Sequence, residues 1–171
     1  VPGGAAAGAS DSKMPDMQAG WEQMCSSVMA GLSGLNMVYE AAGMHASLLG
    51  FCHESLILGD DLIGQSMRCV RGIEVNDETL ALDQIADVCL NGPGHYLGTD
   101  QTLGRMQSDH VYPQLGDRTS PKEWAEIGKP VLTEKATKIK EDILSKPSEV
   151  AFDPILDANL RKKYKIHLNM N

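Results

Sequence analysis

DMQAGWEQMCSSVMAGLSGLNMVYE, residues 16–40, decides the fold. Met17, Trp21, Met24 and Val28 recur at 4-3-4 spacing, which places them on one face of a helix running from Asp16 to Leu32. Pro15 and Asp16 suit its start and Gly34 its end. The indole of Trp21 therefore reads as core packing. The run Asn36-Met37-Val38-Tyr39-Glu40 then reads as a short buried strand closed by a carboxylate. A helix leading into a buried strand belongs to an alternating α/β chain with parallel strands and crossover helices.

The flanks extend this pattern. Val1 to Lys13 is rich in Gly, Ala and Ser, as expected for a strand end and loop where backbone approaches a ligand closely. Ala41 to Gly50 is a connection of small residues. Leu56-Ile57-Leu58, within Glu54–Gly59, reads as another strand, with Asp60 and Asp61 opening a helix to about Arg71. From residue 76 the character becomes helical. Asn76 or Asp77 caps a helix through Leu90, with Leu82, Ile85, Ala86 and Cys89 on its apolar face, and Asn91-Gly92-Pro93-Gly94 stops it. Thr99 to Asp109 is a short helix. Ser120-Pro121-Lys122-Glu123 carries an N-cap hydroxyl, Pro at the first position and Glu at N3, so a helix starts there. It is expected to kink at Pro130 and run to about Ser145. Asp153-Pro154 opens a last helix carrying Leu156, Leu160 and Tyr164. Residues 1–75 thus read as an α/β barrel-like piece and residues 76–171 as a helical extension packed on it.

With 171 residues and 42% hydrophobic content the chain is long and apolar enough for a real core. A net charge of −8 argues against gripping nucleic acid or an anionic membrane, and leaves room for an acidic mouth that favours a cationic substrate. Cys25, Cys52, Cys69 and Cys89 form no CxxC pair, so reduced, partly buried thiols are expected. No leader or membrane span is evident, and the cytoplasm is the expected location. The abrupt opening Val1-Pro2-Gly3-Gly4 suggests that sequence lies upstream.

The glycine-rich opening lacks the endings of a P-loop or a dinucleotide fingerprint. Cys52-His53-Glu54 offers ligand-type atoms, but three consecutive residues rarely face one ion, and no metal site is expected. His45, His95 and His110 read as ordinary surface or supporting histidines. Glu40 ends one expected strand, while Glu54 and Asp61 flank the next. In a parallel barrel the C-terminal strand ends build the site, and a carboxylate there holds a cation or moves a proton. Helix capping explains Asp60 and Asp61 equally well, and a salt bridge explains Glu40. Tyr39 is a candidate aromatic wall for a quaternary ammonium.

One ordered set of motifs goes further. Gly8-Ala9-Ser10-Asp11-Ser12-Lys13 precedes Asp16-Met17-Gln18-Ala19-Gly20-Trp21-Glu22, then Glu40-Ala41-Ala42-Gly43 and Cys52-His53-Glu54. Arg71-Gly72-Ile73-Glu74-Val75, Gly92-Pro93-Gly94-His95-Tyr96-Leu97-Gly98, Thr102-Leu103, Tyr112-Pro113, Asp117-Arg118 and Trp124 follow. This order resembles the C-terminal section of the trimethylamine methyltransferase family over nearly the whole chain.

The resemblance implies the C-terminal units of a (β/α)8 TIM-type barrel, followed by the helical extension. It implies transfer of a methyl group from a tertiary or quaternary amine to the cobalt of a corrinoid, which a separate small protein carries. In methanogens this step begins methane formation from trimethylamine. It further implies a homo-oligomer, completed by the N-terminal remainder of the same polypeptide. Trimethylamine-specific members carry pyrrolysine in the cavity, and that residue is expected just upstream of Val1. Relatives without it use quaternary amines such as glycine betaine. Glu40 and Glu54 are the expected wall for the substrate cation, neither being transferred from the family as a known catalytic residue. Gly3, Gly4 and Gly8, with Tyr39, are expected to line the cavity. The segment alone is expected to be inactive. A catalytically silent subunit of the same fold is the alternative of another class.

Overall fold

The computed structural model describes residues 2–147 and 153–166. Val1 and residues 167–171, the end of the expected extension, lie outside the described residues. The chain divides into two compact units, residues 1–140 and 141–171.

The first unit opens with the expected alternation. β1, Gly4–Ala6, pairs in parallel with β2, Met37–Tyr39, placing Gly4 opposite Met37 and Ala6 opposite Tyr39. α1, Met17–Leu32, is the crossover that a parallel pair requires. Its first turn is capped by the Asp16 carboxylate, which accepts from the Ala19 N–H at 3.0 Å. Gly34, at φ +76°, turns the chain back towards β2.

The buried face of α1 is not the stripe its apolar residues mark. Met17 and Trp21 are 79% and 57% exposed, whereas Ala19, Gln23 and Ala30 are buried. They share the seam with α2, His53–Arg71, whose buried residues are Ser55, Gly59 and Ser66. Small residues allow close approach: the Val70 side chain fills the space where Gly31 would carry a Cβ. Gly59 is similarly closed, since an added Cβ would lie 2.5 Å from the Ala42 Cβ.

α2 corrects one expectation. Leu56-Ile57-Leu58 is helical, and Asp60 and Asp61 lie inside the helix instead of starting it. A three-residue apolar run fits a strand and a buried helical turn equally, and here Cys52, in extended conformation, is the N-cap. The two-residue strands β3, Met44–His45, and β4, Gly50–Phe51, form an antiparallel hairpin inside the expected connection. Its turn holds Ala46, Ser47 and Leu48 at positive φ.

The later helices are shorter than expected. α3, Asp77–Leu80, ends at Ala81 in the left-handed region, and α4, Leu82–Ala86, runs into a π-helical turn, Asp87–Asn91. Leu82 is 70% exposed and Val88 is the buried residue there. α5, Asp100–Ser108, is capped by Thr99, and α6, Pro121–Glu126, has the full capping box of Ser120 and Glu123. The expected kink at Pro130 is a complete break, with Gly128 and Lys129 both at positive φ, before α7, Leu132–Leu144. The stretch following α5 is tied to α2 by polar clamps. The Asp61 carboxylate accepts the N–H groups of Gln114, Leu115 and Gly116 at 2.9, 2.7 and 3.1 Å. Arg68 donates to the Asp109 carbonyl at 2.7 Å. In the second unit, α8, Pro154–Lys163, is capped by Asp153 as expected.

Among the described residues there are two two-stranded sheets and no closed barrel. These residues mix helix and strand, and among them β1–α1–β2 is the one parallel strand–helix–strand unit. No helix among the described residues is long and apolar enough to cross a membrane. The four cysteines are free, and Cys25, Cys69 and Cys89 are exposed where partial burial was expected.

Candidate functional site

Both strands of the parallel pair end at one edge, Ala6 beside Tyr39. Sites in parallel sheets form beyond such carboxyl ends. The loop leaving β1, residues 7–13, is fixed from two sides. From α1, Ser26 Oγ accepts the Gly8 N–H at 2.9 Å. One turn earlier, Glu22 accepts the Ser10 hydroxyl at 2.6 Å, the Asp11 N–H at 2.9 Å and the Gln18 amide at 2.9 Å. The Ser10 hydroxyl, then Gln18 and the Asp11 N–H, hold the Glu22 carboxyl below its ordinary pKa, so it stays ionised at neutral pH.

From the hairpin, the Met44 carbonyl accepts the Ser10 N–H at 3.1 Å and the Ala46 N–H donates to the Ser12 carbonyl at 3.0 Å. His45 locks the corner. Its Nδ1 lies 3.2 Å from the Ser12 carbonyl and its Nε2 lies 2.6 Å from Ser55 Oγ. A carbonyl only accepts, so Nδ1 carries a proton, and in the neutral ring Nε2 accepts from the Ser55 hydroxyl. His45 is 3% and Ser55 1% exposed. Of the two readings for this histidine, surface or supporting, His45 takes the second, as a buried strut.

A cleft of about 730 Å3 opens over this loop, walled by Gly8, Ser10, Asp11, Trp21, Glu22 and Ser47. Asp11 accepts the Ser47 hydroxyl at 2.6 Å and is otherwise turned to solvent. Two carboxylates and an accessible indole suit a small organic cation, which both the charge and the π face attract. Trp21 is a wall of this cleft, which explains why the core does not contain it.

The residues singled out from sequence divide three ways. Gly8 is in the wall, but its φ of +84° and the backbone of Ala41 packed against it make it a close-approach glycine, not a space-maker. Gly3, Gly4 and Tyr39 gather on the β1–β2 pair: a Cβ on Gly4 would lie 3.6 Å from the Tyr39 ring, and the Gly3 N–H donates to Asn36 Oδ1 at 3.2 Å. Glu40 follows β2 at the same strand end, exposed and at φ +60°, an unusual conformation for a non-glycine residue. Glu54 is elsewhere. It sits in the first turn of α2, 2.6 Å from Lys140 Nζ, with Thr137 and Cys52 as further donors. Lys140 holds its carboxyl down at about 2. That charge is matched within the protein by the ion pair with Lys140. The reading missed Glu22 and Asp11. The signal was Glu22, the one charged residue of α1, with Ser26 one turn further on.

Among the described residues no group of three His, Cys, Asp or Glu side chains is placed to hold a metal. A sequence model of a family described as trimethylamine methyltransferase matches residues 1–167. A glycine betaine methyltransferase of Desulfitobacterium hafniense is 31% identical over 162 residues, 94% of this chain and 33% of that protein. A trimethylamine methyltransferase of Methanosarcina mazei is 35% identical over 154 residues, 90% of this chain and 29% of that protein. One of Methanosarcina barkeri is 34% identical over 145 residues, covering 84% and 28%. The chain therefore spans a third or less of the length of these curated relatives.

Proposed function

The chain belongs to the trimethylamine methyltransferase family, and from that premise we propose that it is the C-terminal part of an enzyme moving a methyl group from trimethylamine to the cobalt of a corrinoid borne by a separate protein. The match across residues 1–167 carries this reading. The remainder of the barrel, in this reading, comes from the N-terminal part of the polypeptide, and the assembly is a homo-oligomer.

An amine is a poor leaving group until its nitrogen is positively charged. The protein's task is to hold a methylammonium cation with one methyl turned outwards. Asp11 and Glu22 give the cleft fixed negative charge, and Trp21 gives it a π face. Glu40 and Tyr39 extend that edge from the neighbouring strand end. His45 and Ser55 keep the loop in place, so the carboxylates need no reorganisation when the cation arrives. The corrinoid supplies the nucleophile that takes the methyl group. The buried imidazole of His45 is engaged at both nitrogens, so it suits a positioning role and not cobalt ligation.

A second reading rests on the 31% identity to the glycine betaine enzyme over 94% of the chain. A quaternary amine already carries the charge that trimethylamine must acquire. Methyl transfer to cob(I)alamin, followed by its visible absorbance with the full polypeptide and its corrinoid protein, separates the readings. Activity with trimethylamine supports the first, and activity with betaine alone replaces it by the second. No methylated corrinoid with either amine overturns both in favour of a silent subunit.

A further inference from the structure

A second cleft, of about 860 Å3, lies between α1, the first half of α2 and residues 115–133. Its walls include Trp21, Gln23, Met24, Leu58, Leu62 and Trp124, and its volume is in the range of small-molecule pockets. One polar group in this wall is unaccounted for. Gln23 is 5% exposed, and its Nε2 is buried without a hydrogen-bond partner among the described residues. Buried donors are almost always paired, and an apolar residue of the same size would pack in the α1–α2 seam without that cost. The terminal torsion of a glutamine is broad, so the amide turns readily towards the cleft.

The other polar groups limit the ligand's charge. Asp16, Asp61 and Asp117 line the cleft, and no Lys or Arg stands among its described walls. An anion would meet three carboxylates, while the nearby cations, Arg118 and Lys135, stand outside the lining and act on Asp61 and Asp117. A cationic head has no lone pair to accept the Gln23 N–H, so it would leave that group unpaired, and the three carboxylates already accept backbone N–H groups: Asp16 from Ala19, Asp61 from residues 114–116 and Asp117 from Thr119. We propose that this cleft binds an uncharged, apolar-bodied molecule that presents a carbonyl-type oxygen to Gln23. This site is additional to the amine cleft, with Trp21 bordering both.

Trp21 borders both clefts but Trp124 only this one, so the emission lost between the protein and its Trp124→Phe variant reports occupancy of this cleft. Four probes sharing one ring separate the possibilities when titrated into the full chain: benzamide, benzoate, benzylamine and ethylbenzene. Benzamide is expected to change the emission saturably and to bind about tenfold more tightly than ethylbenzene, the difference one net hydrogen bond makes. Gln23→Leu should abolish that difference while ethylbenzene still binds, and Gln23→Met is the second variant if the first melts abnormally by circular dichroism. The proposal is overturned if benzamide produces no saturable change in the Trp124 emission, or if benzoate or benzylamine gives the tightest change in that emission. Equal binding of ethylbenzene and benzamide, as when a water satisfies Gln23, also overturns it. So does a benzamide preference that survives both substitutions, or shielding of both indoles from iodide before any probe is added, which would mean that polypeptide fills the cleft.

Discussion

Asp61→Asn tests the reasoning about what holds the later helices on the α/β unit. The wild-type carboxylate takes three N–H groups, from Gln114, Leu115 and Gly116. Hydrogen bonds to a charged acceptor contribute about 1.5–3 kcal/mol each, neutral ones about 1 kcal/mol. An asparagine in its best rotamer turns its oxygen to Leu115 and Gly116 and its NH2 group against the Gln114 N–H. Two bonds lose their charge assistance and one becomes a donor–donor contact. Allowing for the partial exposure of the site, the expected loss is about 3 kcal/mol. Burial works against ionisation here, but the three N–H groups outweigh it and leave the carboxyl below its ordinary value of 3.8. A depressed folded pKa means that the stability is complete above the ordinary value and is lost as pH falls through the folded one. The gap between wild type and variant should therefore be full near neutrality and close on acidification below about pH 4. Urea unfolding across that range measures the gap, and hydrogen exchange at residues 114–116 measures local opening. A loss under about 0.5 kcal/mol, within the range of ordinary surface changes, with unchanged exchange at those amides, would refute the clamp.

Three further outcomes are expected. Gly8→Ala forces a Cβ into the Ala41 backbone at φ +84° and should cost about 3 kcal/mol in thermal unfolding; a neutral result removes the close approach. Lys140→Met deprives Glu54 of its main partner, so the Glu54 carboxyl should titrate well above its present value of about 2 by NMR; an unmoved titration means that Thr137 and Cys52 suffice. Glu22→Gln puts an NH2 group where either the Gln18 amide or the Ser10 hydroxyl and Asp11 N–H donate. Hydrogen exchange should quicken across residues 10–12, and KM for the amine should rise more than kcat falls; unchanged exchange there would show that the hairpin alone holds the loop.

What the sequence revealed was whatever local chemistry decides. Asp16, Asn76, Thr99, Ser120 and Asp153 all cap helices at or next to the expected starts, because a cap is a contact within a few residues. The β1–α1–β2 order was readable for the same reason. Packing was not. Periodicity pointed to Met17 and Trp21 as the inner face of α1, yet the seam with α2 uses Ala19, Gln23 and Ala30, since Gly31 against Val70 and Ser66 against Met24 let the helices close. The helix at Leu56–Leu58 was hidden in a run too short to carry a period. The ion pair of Glu54 went unseen because Lys140, its partner, stands 86 positions away. The Glu22 loop anchor escaped for a related reason: its donors Ser10 and Asp11 lie across a turn that no spacing rule describes.

The β1–β2 ladder has one more property. Its first strand is Gly-Ala-Ala, so it lacks the large alternating side chains that normally fix how two strands align. Alignment is set instead by stops beyond the ladder. Asn36 clips Gly3 at one end, and at the other Gly8 abuts the Ala41 backbone while its N–H is tethered to Ser26. A three-residue strand whose alignment along its partner is set at its ends shifts as a unit. A lesion at either stop would be felt along its full length and would displace Asp11, at the mouth, together with Gly4, at the base.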